Sequence, residues 1–225
     1  AMNAATMGSM VILFAYLFEI ARLQGIRLTN LNDFWVNLAN PANISGLFFG
    51  IAMPYLFSAL TLRAVNDGAF KMVEEVRRQF REIPGLMEGK ATPDYARCVD
   101  LATVNALRKM MAPTLISMVI PIIVGFTLGV WALAAYLIGV KASSAAMSKS
   151  LFNTGGTLDN AKKLIEGGLY GGKGSDAHAS AVIGDTFGDP LKDTAGPSLH
   201  ILVKLQNIMS ITLLPLFIQH GLNLF

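Results

Sequence analysis

Asp185, Asp189 and Asp193 follow one another at intervals of four residues, with Lys192 among them, at the mouth of a long apolar run. On an α-helix four residues advance about 400°, so the three carboxylates would form one nearly straight acidic stripe. Like charges at that spacing repel and destabilise the helix that carries them. A compensating partner is therefore expected. Hard carboxylate oxygens suit Mg²⁺, which is commonly held by a few carboxylates together with substrate phosphates. With the Lys192 ammonium beside them, the pattern reads as a metal–phosphate site. Against it stands a solvated loop with scattered charges, which Gly184, Gly188 and Pro190 would support. The segment runs without interruption into an apolar span, however, and membrane helices tolerate Gly and Pro.

Lys204 lies inside that span, in Ile201-Leu202-Val203-Lys204-Leu205. Its eleven-residue separation from Asp193 is about 1100° of helix, which returns it to nearly the same face some 16 Å deeper. An ammonium at that depth is costly and implies a polar interior or an ion path, with snorkelling to the interface as the plainer reading. His200 sits one turn from Lys204 and would line the same path, or simply be a satisfied polar group. Further back, Asp159 and Lys162 share a helix face at the i, i+3 spacing, a pattern that ordinary surface ion pairs also show. Glu19 and Arg22 have the same spacing and read as a structural pair. No Walker, zinc or Ser-His-Asp pattern is present.

The elements that must position these residues are membrane helices. Of 225 residues, 53% are hydrophobic and only 15% charged, with a mean hydropathy of +0.49. Soluble domains carry about 25% charge. Five runs have the length of roughly 20 residues that a bilayer core demands: Asn3–Leu23, Ile44–Val65, Ala112–Val130, Trp131–Ser150 and Thr194–Phe217. The fourth is the weakest, interrupted by Lys141 and Lys149. Short connections join the first two (Ile26–Asn43) and the middle two (around Gly129). Long polar connections, Asn66–Met111 and Leu151–Asp193, hold nearly all the loop Lys and Arg, which places both in the cytoplasm. Val73, Val76 and Phe80 extend the second span into a helix of about 60 Å that Pro84 and Gly85 end. The segment from Tyr95 is helical as well. The fold class is thus all-α, a polytopic membrane bundle with long cytoplasmic helix extensions. The net charge of +3 is modest and gathered in two loops, so nucleic acid is not an expected partner. Cys98 is the single cysteine, which excludes an intrachain disulfide or cysteine-rich metal cluster. No signal-peptide pattern opens the chain, which begins inside an apolar helix and reads as a piece of something longer.

Gly184-Asp185-Thr186-Phe187-Gly188-Asp189-Pro190-Leu191-Lys192-Asp193-Thr194-Ala195-Gly196-Pro197-Ser198-Leu199 closely resembles the C-terminal signature of the membrane-integral, ion-pumping pyrophosphatases. The resemblance extends to Asn153-Thr154-Gly155-Gly156 leading into Asp159-Asn160-Ala161-Lys162-Lys163, and to Lys173-Gly174-Ser175-Asp176. It also includes Met72 to Phe80 with Ile83 to Gly89, and Pro93-Asp94-Tyr95. It covers essentially the whole chain, weakening before Ile44, and identifies residues 1–225 as the C-terminal third of a single larger transmembrane domain. What it implies is hydrolysis of Mg-pyrophosphate at the cytoplasmic face coupled to export of H⁺ or Na⁺. The protein would be a multi-pass homodimer, in the cell (inner) membrane if prokaryotic. It needs the remaining N-terminal helices of the same protein, Mg²⁺ and, in some members, K⁺. By the same resemblance Asp159, Asp185 and Asp189 would bind Mg²⁺. Lys162 and Lys192 would bind the phosphates. Asp193, also a metal ligand, would be the catalytic group that holds and activates the attacking water. Lys204 would belong to the ion gate, with His200 beside it where the family usually has Asn or Asp. This segment alone would be inactive. The alternatives are a catalytically inactive paralogue or assembly subunit, and a divalent-cation-binding transporter without hydrolysis. Lys162 and Lys192 argue against both.

Overall fold

In the computed structural model, residues 2–26 and 36–222 are described, with side chains described from residue 8 onward in the first helix. Six helical segments follow in order: α1 (Met2–Leu23), α2 (Pro41–Glu82), α3 (Tyr95–Thr127), α4 (Val130–Glu166), α5 (Asp176–Asp189) and α6 (Gly196–His220). A π-helical turn, Pro190–Ala195, joins α5 to α6 without a break. Four of these rods are long and apolar enough to cross a membrane: α2, α3, α4 and the continuous α5–α6 unit. The chain is a multi-pass membrane segment. The first expected span coincides with α1. The connection expected over Ile26–Asn43 lies mostly outside the described residues.

Each helix end has a local cause. Asn40 caps α2 by accepting from the Ala42 and Asn43 amides, and Pro41 takes the first helical position, where its missing N–H costs nothing. Asp94 caps α3 through the Arg97 amide. α3 and α4 meet at a two-residue turn in which Gly129 takes φ 90°, a left-handed conformation open to glycine. Pro54, Pro113, Pro121 and Pro215 lie within helices, as membrane spans permit.

One expectation is corrected. The polar segment Leu151–Asp193 is not a long loop: α4 runs on to Glu166, and α5 begins at Asp176. Lys and Asp pairs at helical spacing support those extensions once they leave the bilayer. The fourth span is indeed the least apolar of the four, with a mean hydropathy of 1.4, yet it holds the centre of the bundle. α4 is the central helix, and Leu133, Tyr136 and Leu137 on it are almost completely buried. Lys141 does not interrupt it, because its ammonium is buried against α1 and donates to the Ser9 carbonyl. α2 packs tightly on α4 because Gly46, Gly50 and Gly139 leave the helices no side chain to hold them apart. A Cβ on Gly50 would stand 2.1 Å from the Tyr136 carbonyl oxygen. Close backbone approach through small residues is the usual way membrane helices gain packing energy.

Beyond the bilayer, α2 and α3 are tied by a polar knot. Glu75, nearly buried, accepts from Arg78 (2.7 Å), Gln79 (2.9 Å) and Arg97 (3.3 Å). The Gln79 amide then clasps the Asp94 backbone, donating to its carbonyl at 3.1 Å and accepting from its N–H at 2.9 Å. The Arg78 guanidinium, followed by the Gln79 amide, holds the Glu75 carboxyl down at about 2. On α1, Glu19 and Arg22 do pair.

Candidate active site where α4 meets α5

The C-terminal end of α4 presents Asp159, Lys162 and Lys163 on one side. α5 presents Asp185 and Asp189, and the π turn presents Lys192. These meet because α4 and α5 touch backbone to backbone. A Cβ on Gly155 would lie 2.4 Å from the Gly188 carbonyl oxygen and 2.8 Å from Lys192 Cβ. Any larger residue there would push the two helices, and their charges, apart.

Lys192 is the hub. Its Nζ lies 2.6 Å from Asp159 Oδ2, 3.0 Å from Asp189 Oδ1 and 3.8 Å from Asp185 Oδ1. Asp159 also accepts from Lys163 at 2.9 Å and lies 3.8 Å from Lys162. Lys162 in turn donates to Asp185 Oδ2. Three carboxylates and three ammoniums therefore interlock and neutralise one another. Lys192, then Lys163, holds the Asp159 carboxyl down at about 2. Asp159 in turn keeps the Lys192 ammonium charged well above the usual lysine range. Asp185 does the same, more weakly, for Lys162.

The straight acidic stripe does not form. The π turn is wider than an α turn, with the Gly196 amide reaching back to the Leu191 carbonyl five residues earlier. Within α5, Asp185 is buried against α4 and Asp189 is half-exposed on the rim, whereas Asp193, inside the π turn, is exposed and makes no ion pair among the described residues. Asp159, Lys162, Asp185, Asp189 and Lys192 are thus brought together, while Asp193 stands outside their cluster. Lys204 lies deeper on α6 and is exposed on the outer side of this bundle, with His200 half-buried one turn before it. Neither reaches the cluster.

Among the described residues no three carboxylate, histidine or cysteine groups converge closely enough to hold a metal ion unaided. The donor chemistry nevertheless suits a hard cation. Asp185 Oδ1 is buried without a hydrogen-bond partner, and Asp159 and Asp189 offer further carboxylate oxygens that are currently taken by ammoniums. The residues fit a partial Mg²⁺ site, one that ligands from outside this chain would complete.

Sequence reasoning passed over Lys163 and the Gly155–Gly188 contact as parts of the site. The i, i+4 spacing of Asp159 and Lys163 was a usable signal. Nothing in the sequence shows which glycine of Gly155-Gly156 faces α5, since Gly156 meets open space.

The family model described as inorganic H⁺ pyrophosphatase matches residues 1–213. The chain belongs to that family. A putative K⁺-stimulated pyrophosphate-energized sodium pump of Clostridium tetani is 50% identical over 186 residues, 83% of this chain and 28% of that protein. A K⁺-insensitive pyrophosphate-energized proton pump of Methanosarcina mazei is 51% identical over the same share of each. Another such proton pump, from Caldanaerobacter subterraneus, is 48% identical over 219 residues, 96% of this chain and 30% of its own. The chain thus spans less than a third of the length of these relatives.

Proposed function

We propose that this chain supplies one wall of the catalytic site of a pyrophosphate-energized pump, which hydrolyses Mg-pyrophosphate at the cytoplasmic face and exports H⁺ or Na⁺. The observation that carries the reading is the Lys192-centred cluster. Its interlocked lysines are surrounded by carboxylates of a family whose relatives are energised by pyrophosphate. Phosphoryl transfer asks a protein mainly for positioning and charge neutralisation, and this cluster can provide both.

Lys162 and Lys192 exchange carboxylate partners for phosphate oxygens when substrate enters. Both are pre-oriented for that exchange, since each is already fixed by at least two acidic neighbours. Asp159, Asp185 and Asp189 are the groups that would hold Mg²⁺, whose bound form clamps phosphate oxygens and acidifies water. Asp193, unpaired and exposed beside Lys192, accepts the proton of the attacking water at a carboxylate oxygen. Lys204 and His200 line the ion route on the same rod. The rest of the site comes from the remaining helices of the longer protein, which explains why Asp193 and Lys204 face outward here. The complete pump is a homodimer in this reading.

An inactive paralogue could keep this cluster only as an ion-pair staple between α4 and α5. The relatives match equally well as sodium and as proton pumps, so the ion is fixed by measurement. Pyrophosphate is added with Mg²⁺ to sealed vesicles of the full-length protein, with and without Na⁺ and K⁺, while internal pH is followed. Hydrolysis with acidification identifies a proton pump, and hydrolysis with Na⁺ uptake a sodium pump. A folded, complete protein that hydrolyses nothing would overturn the proposal.

A further inference from the structure

Where α2 and α3 leave the membrane they enclose a cavity of about 460 Å³ that the candidate active site does not use. Two of its walls are apolar, formed by Ala64, Val65, Gly68 and Met72 of α2 and by Ala106 and Met110 of α3. A third wall includes Thr194, in the π turn that also carries Lys192 and Asp193. The sequence sets the level. The α2 residues lie at and beyond the end of the apolar run Ile44–Val65, and the α3 residues precede the run that begins at Ala112. α2 and α4 run parallel, since Gly46 meets Ala132 and Gly50 meets Tyr136. The cavity therefore lies at the headgroup level of the bilayer, on the same side as the Lys192 cluster.

Its edge holds an excess of positive charge. Arg63, Asp67 and Lys71 follow at four-residue intervals and share a face of α2. From α3, Lys109 Nζ lies 2.6 Å from Asp67 Oδ2, and Asn105 Oδ1 accepts from Lys71 at 3.0 Å. Among the described residues Asp67 is the only carboxylate paired with any of the three cations. Arg63 has no ion-pair partner there, and Lys71 has only a neutral amide. Asn105 adds a donor. Its side chain is 7% exposed and lines the cavity, yet among the described residues its Nδ2 donates to nothing. Gly68 makes room for that nitrogen, because a Cβ there would stand 2.8 Å from it. The Arg63 guanidinium, the spare hydrogens of Lys71 and the Asn105 amide all call for an anionic acceptor.

Basic pockets between membrane helices take anionic head groups. A soluble anion would have no use for the apolar walls. We propose that the α2–α3 cavity binds an anionic phospholipid. One acyl chain lies against Ala64, Val65 and Met110, and the phosphate sits beside the Asn105 amide, between Arg63 and Lys71.

The test is photocrosslinking of the full-length protein in vesicles that contain phosphatidylglycerol or phosphatidylcholine with a photoreactive acyl chain, read by mass spectrometry of the labelled peptides. The expected result is labelling of α2 around Gly68 and of α3 around Ala106 by phosphatidylglycerol, several-fold above phosphatidylcholine. That excess should disappear when Arg63→Gln and Lys71→Gln are combined. Equal labelling by both lipids in the unsubstituted protein would overturn the proposal. So would the absence of label from both segments, which would mean that another helix of the longer protein covers the cavity. An excess retained in the double variant would overturn the assignment of the phosphate to these two cations. The comparison of the two lipids needs no variant, so poor folding of the double variant leaves the test intact. Pyrophosphate is absent throughout, so the outcome is independent of the catalytic reading.

Discussion

At the scale of single residues, the two adjacent lysines of α4 have different jobs. Lys162 is mostly shielded and faces Asp185 and Asp159, whereas Lys163 is 63% exposed and pairs only with Asp159 from the rim. Exposed pairs contribute little, because water and salt screen them. A buried charge-assisted contact to phosphate is worth much more. Replacing Lys162 with Ala should therefore lower kcat/KM for pyrophosphate by roughly tenfold or more, while Lys163→Ala changes it only a few-fold. Steady-state hydrolysis by the full-length variants checks this, and equal losses would contradict the asymmetry. These residue types and spacings were legible in the sequence, since a four-residue rhythm of carboxylates around a lysine is rare at a membrane mouth. Their partners were not. Neither Lys192 bridging Asp159 across helices nor the outward turn of Asp193 follows from spacing, because one π turn changes the phase of everything after it.

At the scale of elements, the site depends on how closely helices approach. Gly50 lets α2 lie on the Tyr136 carbonyl of α4, and Gly50→Ala forces a shift that should destabilise the protein by about 1–3 kcal/mol. A thermal melt of the purified pump reads it, and an unchanged melting temperature would count against the close packing. The Glu75 knot gives a second prediction. Its carboxyl is held at about 2 by Arg78 and Gln79, below its ordinary 4.5. A depressed carboxylate contributes stability that is fully present above the ordinary value and is lost as pH falls through the depressed one. Glu75→Gln should accordingly lower the melting temperature by the same amount at pH 6 and pH 8, and a difference between those two pH values would show that the knot is not what holds Glu75 charged. The helix lengths were readable beforehand: apolar stripes, Pro84 and Gly85 announced where α2 ends. The extension of α4 to Glu166 and its central place were not. Lys141 and Lys149 lower its hydropathy, and only the three-dimensional packing shows that Lys141 is bonded to the Ser9 carbonyl.

At the scale of the whole molecule, one continuous rod joins the lysine hub to the deep charge on α6. Asp193 and Lys204 share the side of that rod which this chain leaves uncovered. Lys204→Ala should leave pyrophosphate hydrolysis measurable but reduce the ions moved per turnover in sealed vesicles. Fully coupled transport in that variant would exclude Lys204 from the gate. On the other side of α6 the Gln206 amide fixes the rod to α3 and α4, through the Ser117 carbonyl and the Tyr136 hydroxyl.

The most direct test of the central claim is pyrophosphate hydrolysis by Asp189→Asn in the complete protein, measured against Mg²⁺ concentration. Asp189 is bonded to Lys192 and sits at the open rim, so the substitution is nearly isosteric and spares the buried Asp185 contact. The account predicts a fall in kcat on the order of 100-fold, the scale of losing one electrostatic group in a phosphoryl-transfer site, with the protein folded and the membrane sealed. Unchanged turnover at every Mg²⁺ concentration would show that the Lys192 cluster is an ion-pair staple between α4 and α5 and not a site for pyrophosphate.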